Sequence, residues 1–509
     1  MKSTHSNELQ TQLKRAGRQA AARPPTLRAL RDAEMSAGSR PPALDHTRPS
    51  ATLVVRLVRS GIVSTAFACV SLLMRAAVRV YFSRLRVNHR ERFPAQGPVL
   101  LIANHPAMWT DVLVLDVALR RKLHFLAQGV LFSLPVRAAI LRLHGALPLL
   151  PGTSAADASA RNAETFRRCR ALFEHGAVVA LFPEGVSVTD RMVLQLKTGA
   201  ARIALAQALG APGSAPAVIP SGIHYANRTA FGSTVTVSLG PPIELAPYVA
   251  PARVDPEAAV HALTEHMHGA LRALILDLPE STLAAAVTDL EPLAALSARA
   301  GTWELASARR IAERLDQLRS RAPLQFDGFE RHRRAYRRAR RALRLSDRAL
   351  LWDRWTTPWR QRFGWLVTVC ALGAVPAAAG ALLHAVPWAA GELIARKIGS
   401  DPVRFSFARI SSGIVFFPVF YALAFGLILR VWTLSVPEAF GALAGFVMLG
   451  LWTLAYSGWA RSLAERVRLL QREHTHPALV RRARVEQRAL LSILGSGGED
   501  SASAARASA

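Results

Sequence analysis

Apolar residues follow three regimes along the chain. Between residues 80 and 250, short apolar runs alternate with stretches of helical spacing. Val99–Ala103, Val178–Phe182, Ala217–Ile219 and Thr234–Leu239 have the length of strands. Val112–Arg121, Ala158–Glu174 and Leu196–Leu209 carry helical patterns between them. Such alternation predicts a mostly parallel sheet with helices packed on it. After Pro251, Val260, Leu263, Met267, Leu271 and Leu274 recur at near-helical spacing and predict a helix closing this unit. Residues 283–350 keep helical spacing, rich in Ala and Arg, without strand signals.

The third regime is longer-wave. Phe363 to Gly391 holds no Asp, Glu, Lys or Arg and is interrupted by Pro376 and Pro387. Ile410 to Leu429 and Pro437 to Ala460 are two further runs of spanning length. Arg354, Arg360, Arg362, Arg396, Lys397, Arg404, Arg409, Arg461, Arg466 and Arg468 cluster at run ends, while Arg430 and Glu438 flank the turn between the last two. This bias predicts a hairpin entering from the cytoplasm, preceded by a re-entrant or V-shaped pair of short helices. Ser60 to Met74 is uncharged but short of a span, and arginines flank it, which predicts an interfacial helix.

The expected layout is therefore a basic arm lacking apolar periodicity over 1–50 and an interfacial helix over 51–82. An α/β domain over 83–280 and an Arg-rich all-α juxtamembrane region over 281–362 follow. Membrane segments over 363–460, a basic cytoplasmic helix over 461–495 and a small polar tail over 496–509 complete it. No apolar core near the start marks a signal peptide. Net charge is +29, from 64 Lys+Arg against 35 Asp+Glu, which suits an anionic surface. Nine arginines between Arg331 and Arg348 could serve nucleic acid, but the apolar run that follows favours a membrane surface. Cys69, Cys169 and Cys370 form neither a metal spacing nor a disulfide framework.

Candidate chemistry concentrates at a turn. Asn104-His105-Pro106-Ala107-Met108-Trp109-Thr110-Asp111 joins the strand ending at Ala103 to an apolar helix. Ligands of open α/β sheets bind at such strand ends. Histidine is the usual general base near neutral pH, and a carboxylate can fix its tautomer. Six residues on a helix turn through about 240° beyond a full circle, so the two would not share a helical face. His105 is thus expected before the helix, with Pro106 near its first turn. A strand-end histidine and a helix-start aspartate without partnership is the competing reading.

Three more stretches accompany it. Leu181-Phe182-Pro183-Glu184-Gly185-Val186-Ser187 ends a strand in a polar turn. Asp190-Arg191 and Lys197-Thr198-Gly199 place two cations shortly after it. Arginine binds phosphate bidentately and lysine as a point charge. Val218-Ile219-Pro220-Ser221-Gly222-Ile223-His224-Tyr225 reads as a strand ending in Pro and Gly.

As an ordered set these motifs resemble the glycerolipid acyltransferase family, over roughly residues 80–250. Five residues, Pro106 to Thr110, separate His105 from Asp111. That spacing, and Asp190-Arg191, resemble the eukaryotic-type glycerol-3-phosphate/dihydroxyacetone-phosphate acyltransferase branch. One motif departs: Gly145 to Pro151 lacks the family's arginine.

The resemblance implies an α/β acyltransferase domain, then a basic all-α region and C-terminal membrane helices. It implies transfer of a fatty acyl group from acyl-CoA or acyl-carrier protein, as co-substrate, to a hydroxyl of glycerol 3-phosphate or dihydroxyacetone phosphate. Lysophosphatidate or another lysolipid is the alternative acceptor. His105 would be the base and Asp111 its partner. Asn104, Glu184, Gly185, Ser187, Arg191 and Lys197 would serve the acceptor side, and Pro220 and Gly222 the acyl-donor path. Backbone N–H groups after His105, or at Gly185, would meet the oxyanion. Neither a metal nor another cofactor is implied. Expected partners are membrane lipids, the thioester and a phosphate-bearing acceptor, with nucleic acid disfavoured. The expected place is the cytoplasmic membrane, catalytic domain on the cytoplasmic side. A hydrolase using water, and a non-enzymatic membrane or RNA-binding protein, are the rivals.

Overall fold

The computed structural model describes residues 68, 71–150, 155–185, 192–228, 230–278, 281–297, 305–351, 357–398, 402–432 and 434–495. The expected arm over 1–50, the tail over 496–509, Ser187 and Arg191 lie outside them. So does most of the expected interfacial helix, of which residues 71–81 are helical. The chain divides into one unit ending at Ile275 and another running from Leu276.

The first unit is built on a seven-stranded sheet. Its strands are β1 (Phe82–Asn88), β2 (Val99–Ala103), β3 (Leu123–Gln128), β4 (Leu147–Leu149), β5 (Val178–Leu181), β6 (Ala217–Tyr225) and β7 (Ser233–Leu239). The order is β1-β7-β6-β2-β5-β3-β4, and only the β6–β7 pairing is antiparallel. Every residue of β2 and β5 is buried, as their unbroken apolar runs require in a sheet covered on both faces. Val99 pairs with Val178 on one side and Ala217 on the other. The C-terminal ends of β2, β5 and β6 therefore emerge at one edge.

Strand β6 does not stop at Pro220 and Gly222, as the sequence suggested, but continues to Tyr225. Its ladder to β7 begins only at Ser221, so the missing N–H of Pro220 falls where that ladder has ended. The sequence reading also passed over β1, β3 and β4. The last is three residues long, and β1 carries Arg84 and Arg86 at the sheet edge.

Among the described residues after β1, this unit also has helices α1 (Trp109–Leu119), α2 (Pro135–Leu143), α3 (Ala155–Glu174), α4 (Gly199–Gly210), α5 (Ala246–Val254) and α6 (Pro256–Arg272). Val260, Leu263, Met267 and Leu271 of α6 are buried in one core with Leu100, Ile102, Val179 and Leu205. Arg202 of α4 reaches Glu257 of α6 with two hydrogen bonds, at 3.0 and 2.5 Å.

The second unit is helical throughout its described residues. Its helices are α7 (Ser281–Ser297), α8 (Leu305–Arg321), α9 (Pro323–Leu343), α10 (Asp347–Leu350), α11 (Thr357–Leu383), α12 (Ala385–Ile398), α13 (Pro402–Val431), α14 (Val436–Thr475) and α15 (Pro477–Gly495). Stretches of α11, α13 and α14 are long and apolar enough to cross a membrane. Helix α11 runs unbroken through Pro376. The break before α12 falls at His384, one turn ahead of Pro387, whose absent N–H weakens the helical ladder there.

Helix α11 packs along α14 through small residues. A Cβ on Gly380 would lie 2.3 Å from the Leu449 carbonyl oxygen. Trp452, Thr453 and Tyr456 of α14 donate to the carbonyls of Gly373, Ala377 and Cys370. Small residues that let helix backbones approach are the usual means of association in lipid.

Candidate active site

Sequence placed a histidine and an aspartate around one turn; the fold makes them partners. His105 leaves the end of β2 before any helix begins, as expected. Pro106 is not in the first helical turn, however, because α1 starts only at Trp109. Met108 is held at φ +48°, a backbone conformation that side chains other than glycine rarely adopt. The chain doubles back tightly there, with Thr110 N–H donating to Ala107 O and Asp111 N–H to Met108 O. Asp111 thus sits in the first turn of α1, six residues after His105 yet within its reach.

The result is a 2.9 Å hydrogen bond between His105 Nδ1 and Asp111 Oδ2. Asp111 Oδ2 also accepts from Ala107 N–H at 2.8 Å. The aspartate side chain is fully enclosed, while that of His105 is 18% exposed and so can be reached from outside. Phe182, at the end of β5, stacks on the imidazole with ring centres 3.8 Å apart and planes 13° apart.

Asn104 is turned inward. Its side-chain amide donates to Ile223 O and accepts from Ile223 N–H, tying the turn to β6. Glu184 is also buried, and its two oxygens accept from His105 N–H and Leu194 N–H at 3.2 and 3.3 Å. Burial pushes its carboxyl up in spite of those donors. Both residues, expected on the acceptor side, use their polar atoms to join backbone segments.

Gly185 has φ +72°, and a Cβ there would lie 2.6 Å from Lys197 Nζ. Lys197 is exposed and therefore lies over the Glu184-Gly185 turn. The Gly185 N–H, an expected oxyanion donor, is directed to Phe182 O at 3.1 Å. Pro220 and Gly222 are buried inside β6. A Cβ on Gly222 would lie 2.5 Å from Leu274 O, so close packing accounts for that glycine without a ligand.

Three residues at the same edge were missed: Phe182, Tyr225 and Arg228. Tyr225 OH donates to Asp111 Oδ1 at 2.6 Å. Arg228 donates to Pro106 O at 2.8 Å, which sets a cation beside the histidine turn. Phe182 was visible in its motif, but the partners of Tyr225 and Arg228 are more than a hundred residues away and leave no local signal. Cys169 is buried, its thiol pushed up to about 12 by burial, and is no nucleophile. Among the described residues, no group of three or more His, Cys, Asp or Glu side chains could hold a metal.

An imidazole oriented by a carboxylate at the edge of an α/β sheet has the chemistry to act as a general base. The Acyltransferase family model matches residues 84–223, the segment that carries it. Glycerol-3-phosphate O-acyltransferase 2 of Saccharomyces cerevisiae is 36% identical over 85 residues, covering 16% of this chain and 11% of that protein's length. The solved 1-acyl-sn-glycerophosphate (LPA) acyltransferase of Thermotoga maritima aligns at 16% identity and a TM-score of 0.30, over 42% of this chain and 82% of that one. Residues 84–223 are thus similar to the Acyltransferase family, and the chain spans about a ninth of the length of the curated relative it matches.

Proposed function

We propose that the chain is an O-acyltransferase that moves a fatty acyl group from acyl-CoA or acyl-carrier protein to glycerol 3-phosphate or dihydroxyacetone phosphate. The observation that carries this reading is the His105 Nδ1–Asp111 Oδ2 bond at the ends of the central strands. That bond assigns the proton of the neutral ring to Nδ1 and makes Nε2 its acceptor nitrogen. The acceptor hydroxyl gives its proton to Nε2 as its oxygen attacks the thioester carbonyl. The tetrahedral oxyanion then collapses, the carbon–sulfur bond breaks, and the leaving thiolate takes the proton back from the imidazolium. Asp111 supports the cation between these steps. No serine or cysteine nucleophile enters.

Lys197 and Arg228 are the cations that the described residues bring to this edge, and they suit a phosphate on the acceptor. The five-residue His–Asp spacing and the relative named for glycerol 3-phosphate support that acceptor over a lysolipid. The apolar stretches of α11, α13 and α14 support a place in the cytoplasmic membrane, where a lipid product need not cross water. The catalytic unit then faces the cytoplasm.

The test is acylation by purified protein with labelled acyl-CoA, offering glycerol 3-phosphate, dihydroxyacetone phosphate, lysophosphatidate or no acceptor. Acylation of glycerol 3-phosphate or dihydroxyacetone phosphate is expected, with His105→Ala slower by roughly 10²–10⁴-fold. Turnover of lysophosphatidate alone would replace the proposed acceptor, free fatty acid without acceptor would indicate a hydrolase, and an active His105→Ala would remove the mechanism.

A further inference from the structure

Asp111 has two oxygens, and the histidine uses only one. Oδ2 takes the His105 ring and the Ala107 N–H. Oδ1 takes the hydroxyl of Tyr225 at 2.6 Å. A carboxylate held at one oxygen can still swing about its terminal torsion, which is broad. One held at both oxygens, by groups on two different elements, cannot.

Tyr225 is well placed to be the second hold. It is the last residue of β6, the strand beside β2, and its ring is buried against Phe82 with centres 5.6 Å apart. Burial and the neighbouring carboxylate push its phenol well above the usual value, so the O–H stays a donor across the working pH range. Two other charged groups face this cluster. Arg228, on the loop after β6, acts on the phenol in the opposite sense, and Glu184, after β5, accepts the His105 N–H.

We propose that Tyr225 is a positioning residue for the acyl transfer, acting through Asp111 to keep the His105 imidazole aimed at the acceptor hydroxyl. The proposal rests on the acyl-transfer reading above. Tyr225 touches no reacting atom in it. Its hydroxyl fixes the carboxylate, the carboxylate fixes the ring, and the ring meets the substrate. The neighbouring Ile223 backbone, bonded to Asn104, anchors the same turn one residue ahead of the histidine. The end of β6 thus holds both ends of the segment from Asn104 to Asp111.

The experiment uses the full chain in detergent or vesicles, with acyl-CoA and glycerol 3-phosphate. Variants are Tyr225→Phe, Asp111→Asn, their combination, His105→Ala and Phe82→Leu, each with its thermal midpoint. Tyr225→Phe is expected to lower kcat about tenfold, with both KM values within about twofold of wild type. The tyrosine change should add little once Asp111 is asparagine, because residues acting as a unit are not additive. Phe82→Leu disturbs the packing of the same ring but leaves its hydroxyl bond, and separates a structural role from a positioning one. It is expected to lower the midpoint while kcat stays near wild type. Wild-type kcat in Tyr225→Phe overturns the inference. So does a change confined to KM, an additive double variant, or an equal fall of kcat in Phe82→Leu. An active His105→Ala overturns the acyl-transfer reading itself; an inactive one beside an unaffected Tyr225→Phe overturns only the role of the tyrosine.

Discussion

Asp111 and Asp116 lie five residues apart on α1 in opposite circumstances. Asp111 accepts three hydrogen bonds at its two oxygens. Asp116 Oδ2 is buried with no hydrogen-bond partner among the described residues. Burial pushes the Asp116 carboxyl up, with Arg75 pulling weakly the other way. A carboxyl whose native value is raised binds protons more tightly folded than unfolded, so it stabilises at low pH and loses that stability as pH rises through the native value. Asp116→Asn is therefore expected to stabilise the chain by on the order of 1 kcal/mol near pH 8, the gain fading toward about pH 4. Thermal unfolding across that range checks it; a gain that grows on acidification would contradict the account. His105 and Asp111 were legible because short spacing across a strand end is a local signal. Tyr225 was quoted in its motif without a role, because its partner is 114 residues away. Asn104 and Glu184 were noticed for the acceptor side, while the fold turns their polar atoms to backbone groups, since motif membership does not say which way a side chain turns.

At the scale of elements, apolar periodicity located the central strands well and the edge strands poorly. Strands β2 and β5 are buried on both faces and read as unbroken apolar runs. Strand β1 mixes arginines into an exposed edge, and proline and glycine disguised the second half of β6. The arginine run of α9 was also misjudged in part. Arg333 is buried between Glu330 and Asp289, and Arg340 pairs with Asp347. Arg331, Arg334, Arg338 and Arg341 stay exposed, at spacings of three and four that share one face. With the exposed Arg344 and Arg348, this set is what the run offers to an anionic surface. The tie between α4 and α6 was not legible at all. Arg202 is 4% exposed, and removing Glu257 leaves its charge buried without that partner. Glu257→Ala is expected to cost roughly 2–4 kcal/mol. Denaturant unfolding of the purified protein measures this, and a loss below about 0.5 kcal/mol would assign the pair to the weak surface class.

For the whole molecule, a soluble kind of core and a membrane kind of helix occur in one chain. The first unit buries its apolar residues in a closed core. In the second, Leu372, Val375, Leu382, Leu423 and Leu427 stay exposed on helices of spanning length. Water would penalise that surface at about 25 cal/mol per Å², whereas hydrocarbon would not. The chain is therefore expected to remain in the membrane pellet through an alkaline carbonate wash and to leave it in detergent. Release by the wash would refute the spanning assignment.

The sequence by itself determined what local patterns encode: a mostly parallel α/β sheet, a helical basic region, three apolar runs near the C-terminus, and a histidine and aspartate around one turn. These follow from periodicity, run length and residue type, which neighbours along the chain settle between themselves. Only the tertiary structure decided that Asp111 faces His105 across a strained turn, that Tyr225 holds its other oxygen, and that Asn104 and Glu184 brace backbone. Those outcomes depend on which strands lie side by side, and contacts between segments a hundred residues apart leave no periodic trace in either one.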